Sequence, residues 1–166
     1  TAQGRYEQMT KEGDLFLRFI PHCDWYEVVF DVAWFYKVLL IDEVSWKHES
    51  AGGERRLADR TELGDLPYCH RDRVKQLRSC PQLESLLDRK AILFGHSPAG
   101  DWSILDGNHR LLALASLHLR DGLPVEHFSI FVGISLGPCR WHGDPVVWQE
   151  RPERSPGEKR YILKIW

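Results

Sequence analysis

The feature that most constrains the fold is a run of apolar residues that passes through a sharp polar turn into a helix-forming segment. Residues 102–105 are apolar apart from one serine, and they predict a buried strand. Asp106-Gly107 predicts a tight turn, because glycine adopts a positive φ at little steric cost. The residues after position 110 are strong helix formers, and no glycine or proline interrupts them before Gly122. A strand, a turn and a helix are therefore expected in immediate succession.

The turn places Asn108, His109 and Arg110 at the start of that helix. Backbone N–H groups at a helix N-terminus have no intrahelical acceptor, and the helix dipole favours an anion there. An imidazole and a guanidinium are both potential cations, and a guanidinium can hold a phosphate through two parallel hydrogen bonds. The sequence therefore predicts a phosphate site at residues 107–110. In the alternative interpretation, Asp106 only caps the helix, and His109 and Arg110 are solvated side chains of its first turn.

The turn and its surroundings resemble the signature of the ParB/sulfiredoxin-like superfamily, whose members carry a Gly-x-His-Arg-type turn between a strand and a helix. Here the turn is Asp-Gly-Asn-His-Arg. The order of the surrounding elements is similar as well: a helical stretch at 71–89, a strand at 91–95, a strand ending at Leu105, the helix, and a strand at 125–134. The resemblance covers residues 37–135. It implies an α/β (α+β) fold, namely a single ParB/sulfiredoxin-like domain with N- and C-terminal additions.

This resemblance divides the chain into an N-terminal elaboration at 1–36, a core at 37–135, and a C-terminal extension at 136–166 that packs on the core. Hydrophobic patterns add expectations for the other segments: either a helix or a pair of strands within 25–40, a strand at 37–44, two short helices joined at Cys80-Pro81 within 71–87, and strands at 146–148 and 161–166.

In this superfamily the turn and the helix start bind nucleotide phosphates. In its free-serine kinases, a Glu in a Lys-x-His-Glu-like loop is the catalytic base, and Lys47-His48-Glu49 is similar to that loop. The resemblance therefore implies an ATP- or ADP-dependent phosphotransferase that acts on a free amino acid or another small hydroxyl-bearing molecule. The alternative for Glu49 is an exposed loop carboxylate without a catalytic role.

The resemblance also implies a role for each residue of the site. Gly107, Asn108, His109 and Arg110 would hold the nucleotide phosphates. Asp106 would orient His109 or hold Mg²⁺ through water, because Mg²⁺ prefers one or two carboxylates together with phosphate oxygens. Glu49 would accept the proton of the substrate hydroxyl. The predicted catalytic residues are therefore Glu49, Asp106 and His109.

Two departures from the family pattern limit the expected activity. Asn108 stands where sulfiredoxins carry a reactive cysteine, so a sulfinic-acid reductase is not expected, although an asparagine can still donate a hydrogen bond to a phosphate. The run at residues 53–56, Gly-Glu-Arg-Arg, is similar to a box of ParB proteins, but no apolar strand precedes it. We interpret it as part of a charged surface loop at 51–65, with a lid over the substrate as the alternative.

The charge balance argues against a nucleic-acid partner. The net charge is −2 and the isoelectric point is about 6.4, so the chain has no overall basic character. The alternatives from other classes are a ParB-like module that binds nucleotide or DNA, a nuclease, and a non-catalytic scaffold. No apolar run approaches the length of a membrane span, and the four widely spaced cysteines are typical of reduced thiols. A cytoplasmic location is therefore expected.

Cysteine and histidine also occur as neighbours at three places that raise the question of zinc binding. The pairs are His22-Cys23, Cys69-His70 and Cys139-x-x-His142. Thiolate and imidazole are ligands that Zn²⁺ prefers, but only the last pair has a familiar ligand spacing. Buried cysteines and surface histidines are the interpretation that we favour for these pairs.

Overall fold

The computed structural model describes residues 22–42, 46, 55–64, 66–80, 90–125, 127–144, 147–150 and 161–164. Within these ranges, a five-stranded mixed sheet and two α-helices form an α+β domain, and a separate pair of strands follows it. The strands of the large sheet and the two helices are β1 (Asp24–Phe30), β2 (Val38–Leu39), α1 (Tyr68–Arg78), β3 (Ile92–Gly95), β4 (Trp102–Asp106), α2 (Asn108–Leu119) and β5 (Phe128–Ile134). The separate antiparallel pair consists of β6 (Val147–Glu150) and β7 (Tyr161–Lys164).

The large sheet has the strand order β1-β5-β3-β4-β2. β1 and β5 are antiparallel, as are β3 and β4, whereas β5 pairs with β3 and β4 pairs with β2 in parallel. In the hairpin of β3 and β4, Phe94 lies opposite Ser103, and Ile92 lies opposite Asp106. The first residues of β4 therefore lie beside the end of β3, and its last residue lies beside the start of β3.

Helix α2 covers one face of this sheet and is nearly enclosed by the core. Leu111, Leu112 and Leu114 are each exposed by 1% or less. Burial of one such side chain contributes about 1.5–3 kcal/mol relative to leaving it in water. Ser116 is also buried, and its hydroxyl donates a hydrogen bond to the carbonyl of Thr61, so the helix carries no unsatisfied hydroxyl into the core. This packing fixes the position at which the helix begins.

A second, smaller apolar cluster covers the opposite face of the sheet. Strand residues Phe94, Leu105 and Phe131 pack there against the buried thiols of Cys23 and Cys139. Burial raises the pKa of Cys23 to about 12 and that of Cys139 to about 11, so both remain thiols at neutral pH. None of the four cysteines, all of which lie in the described ranges, forms a disulfide bond. The segment that carries Cys139 therefore packs on the sheet face opposite the helices.

The segment before β2 is a strand followed by a short 3₁₀ helix, Val32–Tyr36. The helical alternative for residues 25–40 is wrong over β1, which pairs along its whole length with β5. The carboxylate of Asp31 accepts a hydrogen bond from the backbone N–H of Ala33 and so caps the 3₁₀ helix. Since β1 belongs to the same sheet as the other strands, the expected boundary at residue 37 does not interrupt the sheet.

Four of the ten described residues of the expected surface loop at 51–65 are buried, so the expectation of a simple surface loop is wrong at these positions. Leu57 and Leu63 belong to the main core. The backbone N–H of Leu57 donates to the carbonyl of Val38, which joins the segment to β2. Arg55 is fixed as well, since its guanidinium donates to the carbonyls of Leu40 and His142. Because Arg55 is held in this way, it is not part of a mobile lid. Residues 53 and 54 lie outside the described residues.

The remaining expectations for local structure are confirmed or untested. β3, β4, α2 and β5 occur in the expected order, and β6 and β7 lie where strands were expected. The strand expected at 37–44 is shorter, since β2 consists of two residues. The first helix of the expected pair is α1, and the region of the second lies outside the described residues. No helix within the described ranges is long and apolar enough to cross a membrane.

Candidate functional site

The turn between β4 and α2 has the geometry that its sequence predicts. Gly107 has φ 97° and ψ 16°, in the left-handed region, and the helix begins at the next residue. A Cβ atom at this position would lie 3.1 Å from the Cβ of Ala91 and 3.0 Å from an Nη atom of Arg110. Both the positive φ and the close approach of these neighbours therefore require glycine.

This turn leaves the start of α2 without a capping side chain. Gly107 occupies the N-cap position and forms no side-chain hydrogen bond, and the first turn of the 12-residue helix contains no acidic residue. The carbonyl of Gly107 accepts from the backbone N–H of Leu111, which is the first hydrogen bond of the helix. The N–H groups of the first turn have no intrahelical acceptor, so this helix start favours an anionic ligand.

The guanidinium of Arg110 lies over the turn and is paired with Asp106. Their Nη2 and Oδ2 atoms are 3.5 Å apart, and the two side chains are exposed by 16% and 33%. The separation of these two atoms is longer than that of a charge-assisted hydrogen bond, about 2.8 Å. A phosphate could take the guanidinium as its partner, and Asp106 could then face a hydrated cation.

The side chain of Asn108 has a different environment from the one expected of a phosphate ligand. It is buried, and its Oδ1 atom accepts a hydrogen bond of 3.0 Å from the backbone N–H of Ile41. Its Nδ2 atom donates to the carbonyl of Ile104 at 3.4 Å. The amide therefore ties the segment after β2 to the start of α2. The backbone N–H of Asn108, rather than its side chain, belongs to the anion-favouring helix start.

His109 belongs to a cluster of three rings between the two helices and the segment at residue 46. Its Nε2 atom lies 2.9 Å from Nδ1 of His70, and the ring of Trp46 stacks on His70 with centroids 3.9 Å apart. Burial, with smaller contributions from His70 and Arg73, lowers the pKa of His109 to about 4. The neutral imidazole is therefore favoured at pH 7, and of the two potential cations at the turn Arg110 is the one that carries the charge.

The predicted base Glu49 lies outside the described residues, as do Lys47 and His48. Their neighbour Trp46 is described, and it is 6% exposed. Its ring centroid lies 4.8 Å from that of His109. The structure thus places Trp46, the residue just before the predicted catalytic loop, against residues 106–110, which we call the phosphate turn. The role of Glu49 stays a prediction.

The three cysteine–histidine pairs do not come together as a zinc site. Among the described residues, one group of three potential ligands is found, formed by His96, His142 and Asp144. Of the six residues in the expected pairs, only His142 belongs to it. His96 and Asp144 were not expected from the sequence, because His96 lies far from the other two in the chain, and His142 and Asp144 alone do not specify a metal site.

Comparison of the chain with protein-family models, with curated proteins and with solved structures finds no match. The chemistry of the turn and of the histidine group is the basis on which function can be inferred.

Proposed function

We propose that this chain is a ParB/sulfiredoxin-like domain that binds ATP or ADP with Mg²⁺ and transfers a phosphoryl group to a small hydroxyl-bearing molecule, such as a free amino acid. One observation carries the proposal: a left-handed glycine opens α2 without a capping side chain, and the guanidinium of Arg110 lies over that opening. Such a turn offers several N–H donors and one positive charge to a phosphate group at the same place.

Both the backbone N–H groups and the side chain of Arg110 bind the phosphates in this proposal. The N–H groups of residues 108–110 bind phosphate oxygens along the helix axis, and the guanidinium supplies charge and a bidentate geometry. His109 is neutral and adds a hydrogen-bonding nitrogen rather than a charge. Asn108 contributes through its backbone, since its side chain binds Ile41.

Mg²⁺ is the second source of positive charge that this proposal requires. A transferring phosphoryl group spreads negative charge over its oxygens, and catalysis rests on positioning and on neutralising that charge. In the turn, Arg110 supplies one guanidinium and faces the carboxylate of Asp106 at 3.5 Å. When a phosphate engages Arg110, Asp106 can hold a hydrated Mg²⁺ that also contacts phosphate oxygens.

Glu49 is the proposed base for the acceptor hydroxyl. Trp46, three positions before it, lies against His70 and His109 beside the turn. This placement of Trp46 supports a substrate position beside the start of α2. Asp106, Arg110 and Glu49 then supply the three requirements of phosphoryl transfer: a metal ligand, a phosphate clamp and a base.

Calorimetric titration with ATP, ADP and CTP, each with and without Mg²⁺, tests the phosphate site. We expect adenine-nucleotide binding that Arg110→Ala weakens by roughly tenfold to a hundredfold, the value of a charge-assisted hydrogen bond to a ligand. Arg120→Ala is the matched control, because Arg120 caps the other end of α2 and pairs with Glu62. Equal weakening by both variants, or absence of binding to any nucleotide, contradicts the proposal. Preference for CTP would instead favour a ParB-like nucleotide switch.

Turnover is tested separately from binding. Phosphorus NMR of the chain incubated with Mg-ATP or Mg-ADP and a mixture of free amino acids would detect a phosphorylated product. Glu49→Gln is expected to keep nucleotide affinity and to lose product formation, because the amide cannot accept the hydroxyl proton. Undiminished turnover in this variant would remove Glu49 from the mechanism and leave the phosphate site standing.

A further inference from the structure

A second polar group lies at the other end of β4, on the sheet face opposite the helices. His96 follows directly after β3, His142 ends the 3₁₀ helix Arg140–His142, and Asp144 comes two residues later. One potential ligand atom from each of the three lies within 4.8 Å of the others. We call these three residues the imidazole cluster. None of them takes part in the phosphate turn.

Each member of the imidazole cluster is held by a hydrogen bond from behind. Nδ1 of His96 lies 2.7 Å from the carbonyl of Ser135, and Oδ2 of Asp144 accepts from the backbone N–H of Cys139 at 2.6 Å. Nδ1 of His142 lies 2.9 Å from the buried hydroxyl of Ser103. Histidines that bind metals generally use their other ring nitrogen in this way, and carboxylate ligands are hydrogen-bonded too.

The hydrogen bond behind His96 determines what its other nitrogen can do. A backbone carbonyl only accepts, so Nδ1 of His96 must carry the proton that is donated to Ser135. Nε2 of the neutral ring is then a lone pair, and it lies 2.9 Å from Oδ2 of Asp144. Two acceptors at this distance repel each other unless a cation, either a proton or a metal ion, lies at them.

The rings are also fixed in position by the sheet. His96 and His142 both pack edge-on against Phe94, with centroid distances of 5.3 Å and 5.6 Å. The carbonyl of His142 accepts from Arg55, which anchors the segment that carries His142 and Asp144. Side chains of His96 and Asp144 remain 34% and 21% exposed, so an ion and a water molecule can reach the cluster.

We propose that His96, His142 and Asp144 bind one Zn²⁺ ion, with a fourth coordination position left to water. Two imidazoles and one carboxylate are a ligand set that Zn²⁺ uses when it keeps an open position. Ligands of a tetrahedral Zn²⁺ at about 2.1 Å lie roughly 3.4 Å apart, so on binding the 2.9 Å pair of His96 and Asp144 opens slightly, and any wider separation, up to 4.8 Å, closes. The ion also joins the C-terminal segment to the end of β3.

The test is a zinc titration of the full chain after removal of metal with a chelator. A chromogenic zinc chelator reports competition for Zn²⁺, and mass spectrometry counts the zinc that remains after dialysis. We expect one equivalent per chain. His96→Asn and Asp144→Asn should weaken zinc binding by roughly a hundredfold or more, and Ser103→Ala by roughly tenfold to a hundredfold, the usual effect of losing an outer hydrogen bond. The titration contains no nucleotide, so its result is independent of the phosphate site.

His127→Asn is the matched control, since this exposed histidine lies outside the cluster. Its zinc affinity should equal that of the wild type. Should the cluster variants fail to fold by circular dichroism, Co²⁺ binding to the wild type decides: tetrahedral absorption bands that Zn²⁺ displaces support the site. A wild-type chain without bound zinc or such bands overturns the proposal and leaves a protonated His96 paired with Asp144. Stronger binding of Mg²⁺ or Ca²⁺ than of Zn²⁺ also overturns it, because those ions prefer oxygen ligands.

Discussion

The two ends of β4 carry polar groups that favour ligands of opposite charge. At its C-terminal end, Gly107 and Arg110 present N–H donors and a guanidinium, which suit an anion. At its N-terminal end, Ser103 supports the ring of His142 beside Asp144, and these nitrogen and oxygen atoms suit a cation. About 10 Å of strand separates the two ends. The difference in preferred charge does not come from the strand itself. It comes from the start of α2 at one end and from the 139–144 segment at the other.

The two ends also differ in how firmly the backbone is held, and a left-handed glycine is present in each. A Cβ at Gly107 would meet Ala91, whose position is set by the chain beside β3. A Cβ at Gly143, between His142 and Asp144, would meet the Oδ2 atom of Asp42 and the guanidinium of Arg55, which are the ends of movable side chains. The backbone of the phosphate turn is therefore closely bordered by Ala91, whereas the backbone at Gly143 is bordered by the ends of side chains that can move.

The largest effect that tests this difference is expected at the turn. Gly107→Ala should lower the free energy of unfolding by about 3 kcal/mol, because strain at φ 97° is added to overpacking against Ala91. The measurement is urea denaturation. Gly122→Ala is the matched control: its φ is 67°, but no atom lies within 4 Å of the added Cβ, so it carries the strain alone. Equal losses in the two variants would mean that the turn is not tightly packed.

The next effect separates structure from ligand binding in the same turn. Asn108→Ala should cost about 2 kcal/mol, because the buried N–H of Ile41 loses its acceptor. Ser116→Ala, at another buried hydrogen bond of α2, should cost less, since it removes one hydroxyl and leaves a carbonyl that has a second lone pair. Calorimetry on the folded Asn108→Ala chain should show nucleotide affinity within about threefold of wild type, under 1 kcal/mol. A larger loss would assign the side chain to the phosphates.

Acid should lower the free energy of unfolding of the chain because His109 is buried in its neutral form. Its pKa of about 4 in the folded chain lies below the ordinary 6.5, so between these values the unfolded chain takes up a proton that the folded chain does not. The free energy of unfolding should therefore be complete above pH 6.5 and fall by about 1.5 kcal/mol towards pH 4, with solvent screening included.

Urea denaturation at a series of pH values would measure this dependence. In His109→Asn the fall should be smaller, because one buried imidazole is gone; the remainder belongs in part to His142, whose pKa burial also lowers. His127→Asn, at an exposed position, should keep the wild-type dependence. If the pH dependence of His109→Asn equals that of the wild type, then His109, in contact with His70 and Trp46, does not control this titration.

The geometry of the turn between β4 and α2 could be predicted from the sequence because all its parts are neighbours in the chain. Asp106, Gly107 and the helix formers after them indicate the strand end, the turn and the helix start within a few residues. The environment of its side chains could not be predicted. Burial, and then His70, lowers the pKa of His109, and the amide of Asn108 is held by Ile41; both partners lie far away in sequence.

The imidazole cluster shows the opposite case. His96 and Asp144 are 48 residues apart and come together because β3 ends where the 139–144 segment crosses the sheet. Single histidines and aspartates in turns carry no pattern from which such a meeting could be read. The buried position of Leu57 was missed for a similar reason, since the charged residues around it conceal its pairing with β2.

The smallest expected effect completes the comparison at the second glycine. Gly143→Ala introduces strain because φ is 93°, but the carboxylate of Asp42 and the guanidinium of Arg55 can move aside. The expected loss in the free energy of unfolding is therefore about 1 kcal/mol, near that of Gly122→Ala. Urea denaturation of the metal-free chain measures it. A loss as large as that of Gly107→Ala would mean that the Arg55 contacts hold the His142–Asp144 backbone as rigidly as Ala91 holds the phosphate turn. The cluster would then have to accommodate an ion by moving the side chains of His96, His142 and Asp144, with the backbone at Gly143 held fixed.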